Sequence, residues 1–369
     1  MVRPRLAEQL HLEREPTMSR VYIGTYTETL PHVVGKAAGI HTATYSDGVF
    51  GPETTAIASR NPSWLVHDAQ RNLLYAINET THFDGAVGGG VTAYRVAEDG
   101  GLSEISHRHS YGTEPCHGEL VNSGQHIIIA NYRTGQVSVF DTGLNGQLSD
   151  APTSVIVQHG ATHGNPKRQE QPHAHAVVPD PLTGRVWVPD LGQDAVISYE
   201  LDADGNLTEV DRINLLPGEG PRHIVFHPDA AHLFVVNELA NTVSVFRRVG
   251  SGAFLRVTTT GTLPADFDGH NQTAALRLDR SGQYLYATNR GHNSISVLRW
   301  DGMTLELIQN VPADGLEPRE LVLDPAESFL LLANQDSDEI VVRPRLQDGT
   351  LGEIQGRYAF PTPVCILFA

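Results

Sequence analysis

Short apolar runs alternate with polar turns along this chain at a fixed spacing. One unit recurs: a proline, an apolar run of strand length, a polar turn, a second apolar run ending in Asn, then two further strand-like runs. It reads NPSWLVHDAQRNLLYAINE from Asn61, EPCHGELVNSGQHIIIANY from Glu114, GPRHIVFHPDAAHLFVVNE from Gly220 and EPRELVLDPAESFLLLANQ from Glu317. QPHAHAVVPDPLTGRVWVPD from Gln171 fits with two extra residues, and NQTAALRLDRSGQYLYATNR from Asn271 has Thr273 in the proline position. The interval is 16 residues from Pro62 to Asn78, Pro115 to Asn131, Pro221 to Asn237, Thr273 to Asn289 and Pro318 to Asn334, and 18 from Pro172 to Asp190. A third run follows, as in VTAYRV at Val91, AVISYEL at Ala195 and TVSVFRR at Thr242. These runs alternate or are rich in β-branched and aromatic residues, which suits a pleated, half-buried surface.

Four strands per unit of about 50 residues is the pattern of a propeller blade. Units begin near 61, 114, 171, 220, 270 and 317, and a seventh is divided between the chain ends. TPVCILF from Thr362 reads as its first strand; VYIGTYT from Val21, GIHTATYS from Gly39 and TTAIAS from Thr54 read as the other three. Their pairing would close a ring and remove the open sheet edges that invite aggregation. The pattern therefore predicts an all-β chain: a seven-bladed β-propeller with four antiparallel strands per blade. It forms one domain over residues 19–369, behind an N-terminal extension, 1–18, expected to be poorly ordered.

Because consecutive strands are antiparallel, the start of each first strand and the end of each second strand share one face beside the central channel. The residues after Pro (Ser63, Cys116, His173, Arg222, Ala274, Arg319, Val364) should meet there with those after Asn or Asp (Glu79, Tyr132, Leu191, Glu238, Arg290, Gln335). A ring built only for packing would be apolar here. This one carries three Arg, two Glu and a His, with His117, His175, His223 and Asn271 close by. Charge at such a place must be paired or used. Long loops gather on the same face, at 28–38, after Asn78, at 159–171 and at 264–270, as binding loops on rigid scaffolds do. The recurring Asn reads as a turn cap. Arg222, Glu238 and Arg290 differ from their counterparts in other blades, which marks them for a special task or for bracing adjacent blades.

Charge narrows the partners. Lys and Arg number 26 against 43 Asp and Glu, a formal net charge of −17. That balance repels nucleic acid and anionic membranes, yet a local Arg cluster can still hold a small anion. Runs of 18 apolar residues and an apolar leader are both missing, so the cytoplasm is the expected location. The two cysteines, Cys116 and Cys365, read as reduced, buried thiols. His173 and His175 stand two apart, on one side of a strand, with no third ligand fixed by spacing, so no metal and no cofactor are expected. DADGN at Asp202 has the start of a calcium loop and lacks its later Glu. P-loop, GxGxxG, GxSxG and HExxH contexts do not occur.

VYIGTYT, NPSWL, YAINE, PCHGEL, QPHAH, VPDLGQD, GPRHIVFHP, VNEL, TNRGHNSISV and ANQDS together resemble the seven-bladed lactonase family, which includes bacterial 6-phosphogluconolactonases of the propeller type and the fungal carboxy-cis,cis-muconate cyclase. The resemblance runs from Val21 to Phe368. It implies a cytosolic enzyme without a required metal, and a site made of a His, two Arg and a Glu. By motif these are Arg222, Glu238, Arg290 and a histidine of the PHAH segment, His173 in preference to His175. HNQTAA, with Thr273 in place of a proline, departs from the family pattern on the rim.

The expected function is hydrolysis of a small anionic sugar lactone by a monomer, as in a 6-phosphogluconolactonase. Glu238 would be the general base if burial raises its pKa, and Arg222 or Arg290 would stabilise the oxyanion. Arg319, His175, His117, His223, Asn271 and Gln335 would bind substrate, Arg gripping phosphate or carboxylate through its planar fork. The alternatives are muconate cyclisation by the same charges, a calcium-dependent gluconolactonase of another propeller family, and a non-catalytic propeller that binds a partner on this rim.

Overall fold

The computed structural model describes residues 18–250 and 252–369. Of the extension expected over 1–18, all but Met18 lies outside the described residues. Among the described residues, seven four-stranded antiparallel sheets make up the propeller, and two short hairpins, Thr29–Leu30 with Val33–Val34 and His82–Phe83 with Ala86–Val87, stand in its loops. Blade I joins the chain ends: Pro363–Phe368 pairs with Ser19–Thr25, followed by Gly39–Ser46 and Val49–Ala58. Its closing register sets Val21 against Phe368 and Ile23 against Ile366. Blades II to VII begin with Pro62–Asp68, Pro115–Val121, Val178–Pro179, Pro221–Phe226, Gln272–Leu278 and Pro318–Leu323. In each, the second strand ends at or next to the Asn or Asp of the repeat. Among the described residues, no helix is long and apolar enough to cross a membrane.

The core is divided among the junctions between blades. Seven buried apolar clusters occupy the seven junctions. Ile128 and Val139 of blade III pack with Val186 and Tyr199 of blade IV, and Val21 and Ile366 of blade I with Leu331 and Val342 of blade VII. Tyr22 and Ile40 meet Leu74 and Tyr94 across the I–II junction. Each sheet thus buries both faces, which is why its strands read as near-continuous apolar runs. Neighbouring first strands also pack on each other, lining the channel.

A bulge recurs where the channel opens. In blades I, II, III, V and VII the proline faces the residue that ends the second strand, and the residue after it is skipped in the register. The skipped residues are Val364, Ser63, Cys116, Arg222 and Arg319. A bulge leaves its extra residue unpaired and re-aims its side chain. The residue before the proline turns left-handed: Asn61, Glu114, Gly220, Glu317 and Thr362 have φ between 36° and 62°. Its carbonyl then accepts the N–H of the residue after the second strand, as in Glu79 to Asn61 (2.9 Å), Glu238 to Gly220 (2.7 Å) and Gln335 to Glu317 (3.0 Å). This local device sets both predicted rings of side chains side by side.

Blade IV departs from the expected strand at PHAH. Only an isolated bridge, Ala174 to Asp190, precedes the two-residue strand Val178–Pro179. His175 donates its N–H to Pro189 O at 2.9 Å, but Pro189 has no N–H to return. Pro189 thus breaks the hydrogen-bond pair at His175, and the ladder is interrupted there.

Candidate active site

Glu238 lies at the centre of the charged ring. The blade V bulge presents Arg222 beside it, and the backbone bond to Gly220 fixes the pair. Other blades hold non-glycine residues at this left-handed position, but at 220 an added Cβ would stand 2.5 Å from Leu239 Cγ, which favours glycine. Glu238 Oε2 is 3.1 Å from Arg222 Nε and 3.2 Å from Arg290 Nη2, while Oε1 accepts from Arg168 Nη2 at 2.7 Å. Arg168 also donates to Tyr132 Oη at 2.8 Å. His175 Nε2 is 3.9 Å from Oε2. One buried carboxylate thus contacts three guanidinium groups from blade V, blade VI and the 159–171 loop.

That loop is tied down. Gln169 Nε2 donates to Leu191 O at 2.8 Å, and Thr162 Oγ1 to Asp194 Oδ2 at 2.6 Å. Asp194 also accepts from the N–H groups of Gly218 (2.8 Å) and Gly220 (2.6 Å). One buried carboxylate therefore joins the segment carrying Arg168 to the segment carrying Arg222.

The electrostatics of Glu238 overturn one expectation. Burial pushes its pKa up, but Arg290, Arg168, Arg222 and His175 together outweigh burial and hold it well below the usual carboxylate range. It is a fixed anion, not a carboxyl poised to titrate. Burial and Arg290 bring Arg222 down to about 10, against the pull of Glu238, so it stays cationic at neutral pH. Its Nη1 contacts His223 Nε2 and donates to Ala274 O, both at 2.9 Å. Arg222 therefore braces Glu238 from below, whereas Arg168 and Arg290 line an open cavity of about 560 Å³ with His32, Glu79, Tyr132, His173, His175 and Arg319.

A second carboxylate stands in this cavity. Glu79 Oε2 accepts from Tyr26 Oη at 2.8 Å, and its Oε1 lies 3.7 Å from His32 Nε2 and 3.8 Å from Arg319 Nη2. The Arg319 guanidinium sits 5.3 Å over the Tyr26 ring. Three guanidinium groups (Arg168, Arg222, Arg290) contact Glu238, and Arg319 stands beside Glu79; Glu114, Glu170, Arg133 and Lys167 add two charges of each sign to the cavity wall. Deeper in the channel, His117 stacks on Trp64 at 4.1 Å, and His223 lies 5.7 Å from His175 and 6.0 Å from His117. Burial keeps His117, His175 and His223 neutral, with His117 down at about 3. At the opposite mouth, a cavity of about 370 Å³ lined by Leu65, Val322, Ile366 and Phe368 has none of this charge pattern; its Arg277 is paired with Glu320 at 2.8 Å.

The expected residues thus divide. Arg222, Glu238, Arg290, Arg319 and His175 come together. His173 lines the cavity without touching Glu238: its Nδ1 is 2.9 Å from Tyr132 O and its ring stacks on Tyr132 at 4.7 Å. His175, ranked second in the sequence, is the histidine against the carboxylate. His117 and His223 lie below the cavity. Asn271 bonds Asn241 (2.7 Å) and Asn289 (3.4 Å) between strands, and Gln335 bonds Asp336 at 2.9 Å; neither lines the cavity. Arg168 was missed, because its loop has no place in the repeat. Tyr26 was also missed: Thr25 takes the Asn position in blade I, so Tyr26 is the seventh member of the ring.

A family model described as Lactonase, 7-bladed beta-propeller matches residues 20–368. The 6-phosphogluconolactonase of Bacillus subtilis is 33% identical over 355 residues, covering 94% of this chain and 97% of its own. That of Formosa agariphila is 27% identical, covering 91% and 94%. The periplasmic gluconolactonase of Pseudomonas aeruginosa superposes with a TM-score of 0.88 at 30% identity, over 95% of this chain and 99% of its own.

Proposed function

This chain belongs to the seven-bladed β-propeller lactonase family, and from that premise we propose that it hydrolyses a small phosphorylated sugar lactone, as a 6-phosphogluconolactonase does. One observation carries the reading: a buried carboxylate orders three guanidinium groups, two of which, Arg168 and Arg290, line an open cavity beside Arg319 and so offer an anion a set of fixed cationic donors. Glu238 is the fixed anion that holds Arg168 and Arg290 in place. These two, with Arg319, grip the substrate and meet the oxyanion that forms when water adds to the carbonyl. Such preorganised donors gain strength where water is excluded, one being worth about 3 kcal/mol. The reaction needs no metal in this reading, because Glu238 and Glu79, the carboxylates at the cavity floor, are already engaged by guanidinium groups and Tyr26 and are poorly placed to hold a divalent cation. A monomer in the cytoplasm accords with a ring closed on itself and with two unpaired, buried thiols.

The test is turnover of 6-phosphogluconolactone by the wild type, with and without EDTA, and by Glu238→Gln and Arg290→Ala. Wild-type turnover unaffected by chelator, and kcat/KM lowered about 100-fold or more in both folded variants, are expected. Near-wild-type turnover in both variants removes the reading. A muconate cyclase would draw on the same arginines and is separated by its product.

A further inference from the structure

The charged floor leaves one task unassigned. Water adding to a lactone carbonyl must lose a proton. Glu238 is a poor acceptor, its charge held by a hydrogen bond from Arg168 and by ion pairs to Arg222 and Arg290. We propose that His32, backed by Tyr26 and Glu79, is the general base of the lactone hydrolysis proposed above, on which this inference rests.

The geometry carries it. His32 lines the same cavity as Arg290 and Arg319, and its side chain is 39% exposed there, against 2% for His173 and 8% for His175. Its Nε2 is 3.4 Å from Tyr26 Oη, and Tyr26 in turn donates to Glu79 at 2.8 Å. With its proton on Nε2, His32 points that proton along a chain ending in a carboxylate. Nδ1 then keeps a lone pair and has no protein partner among the described residues. A nucleophile-activating base oriented by a hydroxyl and a carboxylate is the arrangement that proton abstraction from water requires. The ring also stands edge-on to Tyr26, 5.6 Å between centroids.

The loop that carries His32 is firmly held. Leu30 and Val33 pack with Tyr26 and Val364. Asn61 Oδ1 accepts the N–H groups of Thr27 and Glu28, both at 2.8 Å. Gly35 and Ala37 return backbone bonds to Glu28 and Tyr26, both at 3.1 Å.

The charges around His32 give the base a second property. Burial lowers it to about 4; Glu79 opposes that, while Arg319, Arg290 and Arg168 add to it. In the empty site it is therefore neutral at pH 7. An anion bound to those arginines offsets their share of this lowering, the larger share from burial remaining, so His32 is a somewhat stronger base with substrate present.

The step balances. The water oxygen bonds to the carbonyl carbon and its proton moves to His32 Nδ1. The carbonyl electron pair moves to the oxygen facing Arg290. Collapse breaks the bond from that carbon to the ring oxygen, and His32 returns the proton to the departing oxygen. Lactone and water become the open-chain hydroxy acid.

The experiment measures steady-state kinetics on 6-phosphogluconolactone from pH 4 to 8 for the wild type, His32→Gln, His32→Gly and Tyr26→Phe. In His32→Gln, kcat should fall about 100-fold with KM within about threefold. Added imidazole should restore part of kcat in His32→Gly. In the wild type, the acid limb of kcat should lie at higher pH than that of kcat/KM, and both limbs should vanish in His32→Gln. Unchanged kcat in His32→Gln, or a change confined to KM, overturns the proposal while leaving lactonase activity intact. A wild type that hydrolyses no lactone defeats the functional reading itself.

Discussion

The channel histidines make a quantitative statement about acid stability, and His117 isolates it. It is 6% exposed, stacks on Trp64 at 4.1 Å and accepts the Val177 N–H on Nδ1 at 3.3 Å. Burial, then Arg277 and Arg222, lowers its pKa to about 3 from the 6.5 of an unfolded histidine. Below pH 6.5 the unfolded chain binds a proton that the folded chain refuses, so stability falls as pH falls, and the loss saturates near the folded pKa. Between pH 8 and pH 5 this one group should cost about 2 kcal/mol, the free energy of protonating it in the unfolded state alone. The total pH curve is not diagnostic, because Glu119, pushed up to about 7 by burial, works in the opposite sense. The difference between wild type and His117→Gln is. Thermal unfolding of both at pH 8 and pH 5 should show the gap between them shrinking by roughly 3 °C at the lower pH, at about 0.7 kcal/mol per degree for a domain of this size. A gap that is constant with pH would mean that His117 titrates normally, and the account of a desolvated channel would be wrong.

Two further outcomes are expected. Arg168→Ala leaves Glu238 with Arg222 and Arg290, so the protein should stay folded while KM for 6-phosphogluconolactone rises about tenfold or more; an unchanged KM would assign Arg168 to the loop alone. Burial pushes Cys365 up to about 12 and Cys116 up as well, so neither thiol should react with a disulfide reagent at pH 8 until denaturant is added; fast labelling of the native protein would contradict their burial.

The ring, the divided blade and the meeting of Arg222, Glu238 and Arg290 were legible because all three follow from one offset in a repeat. The proline and the Asn stand 16 residues apart, and the bulge that this spacing creates aims side chains the same way in blade after blade. What breaks the repeat was not legible. Arg168 arrives on a loop whose path depends on Asp194 and Gln169, not on strand periodicity. The ionisation of Glu238 depends on how many guanidinium groups reach it, and the sequence shows residue types without their number at one point in space. Asn271 and Gln335 stood near the right positions, yet the Asn271 amide bonds Asn241 and Asn289, the Gln335 amide nitrogen bonds Asp336, and neither side chain lines the cavity. PHAH looked like a strand, and what interrupts its ladder is Pro189 on the second strand, which has no N–H to return to His175.

The side chain after each proline is exempt from the pairing rules of its sheet. In blades I, II, III, V and VII it can be exchanged without breaking a hydrogen bond of its own ladder, although Val364 packs on Tyr26 and Arg222 braces Glu238. The molecule therefore offers a circle of interchangeable sockets on a common chassis: serine in one, cysteine in another, arginine in two more. A lineage built on this plan can alter what its channel mouth presents by refitting one socket at a time, with the ladder of each blade left in register.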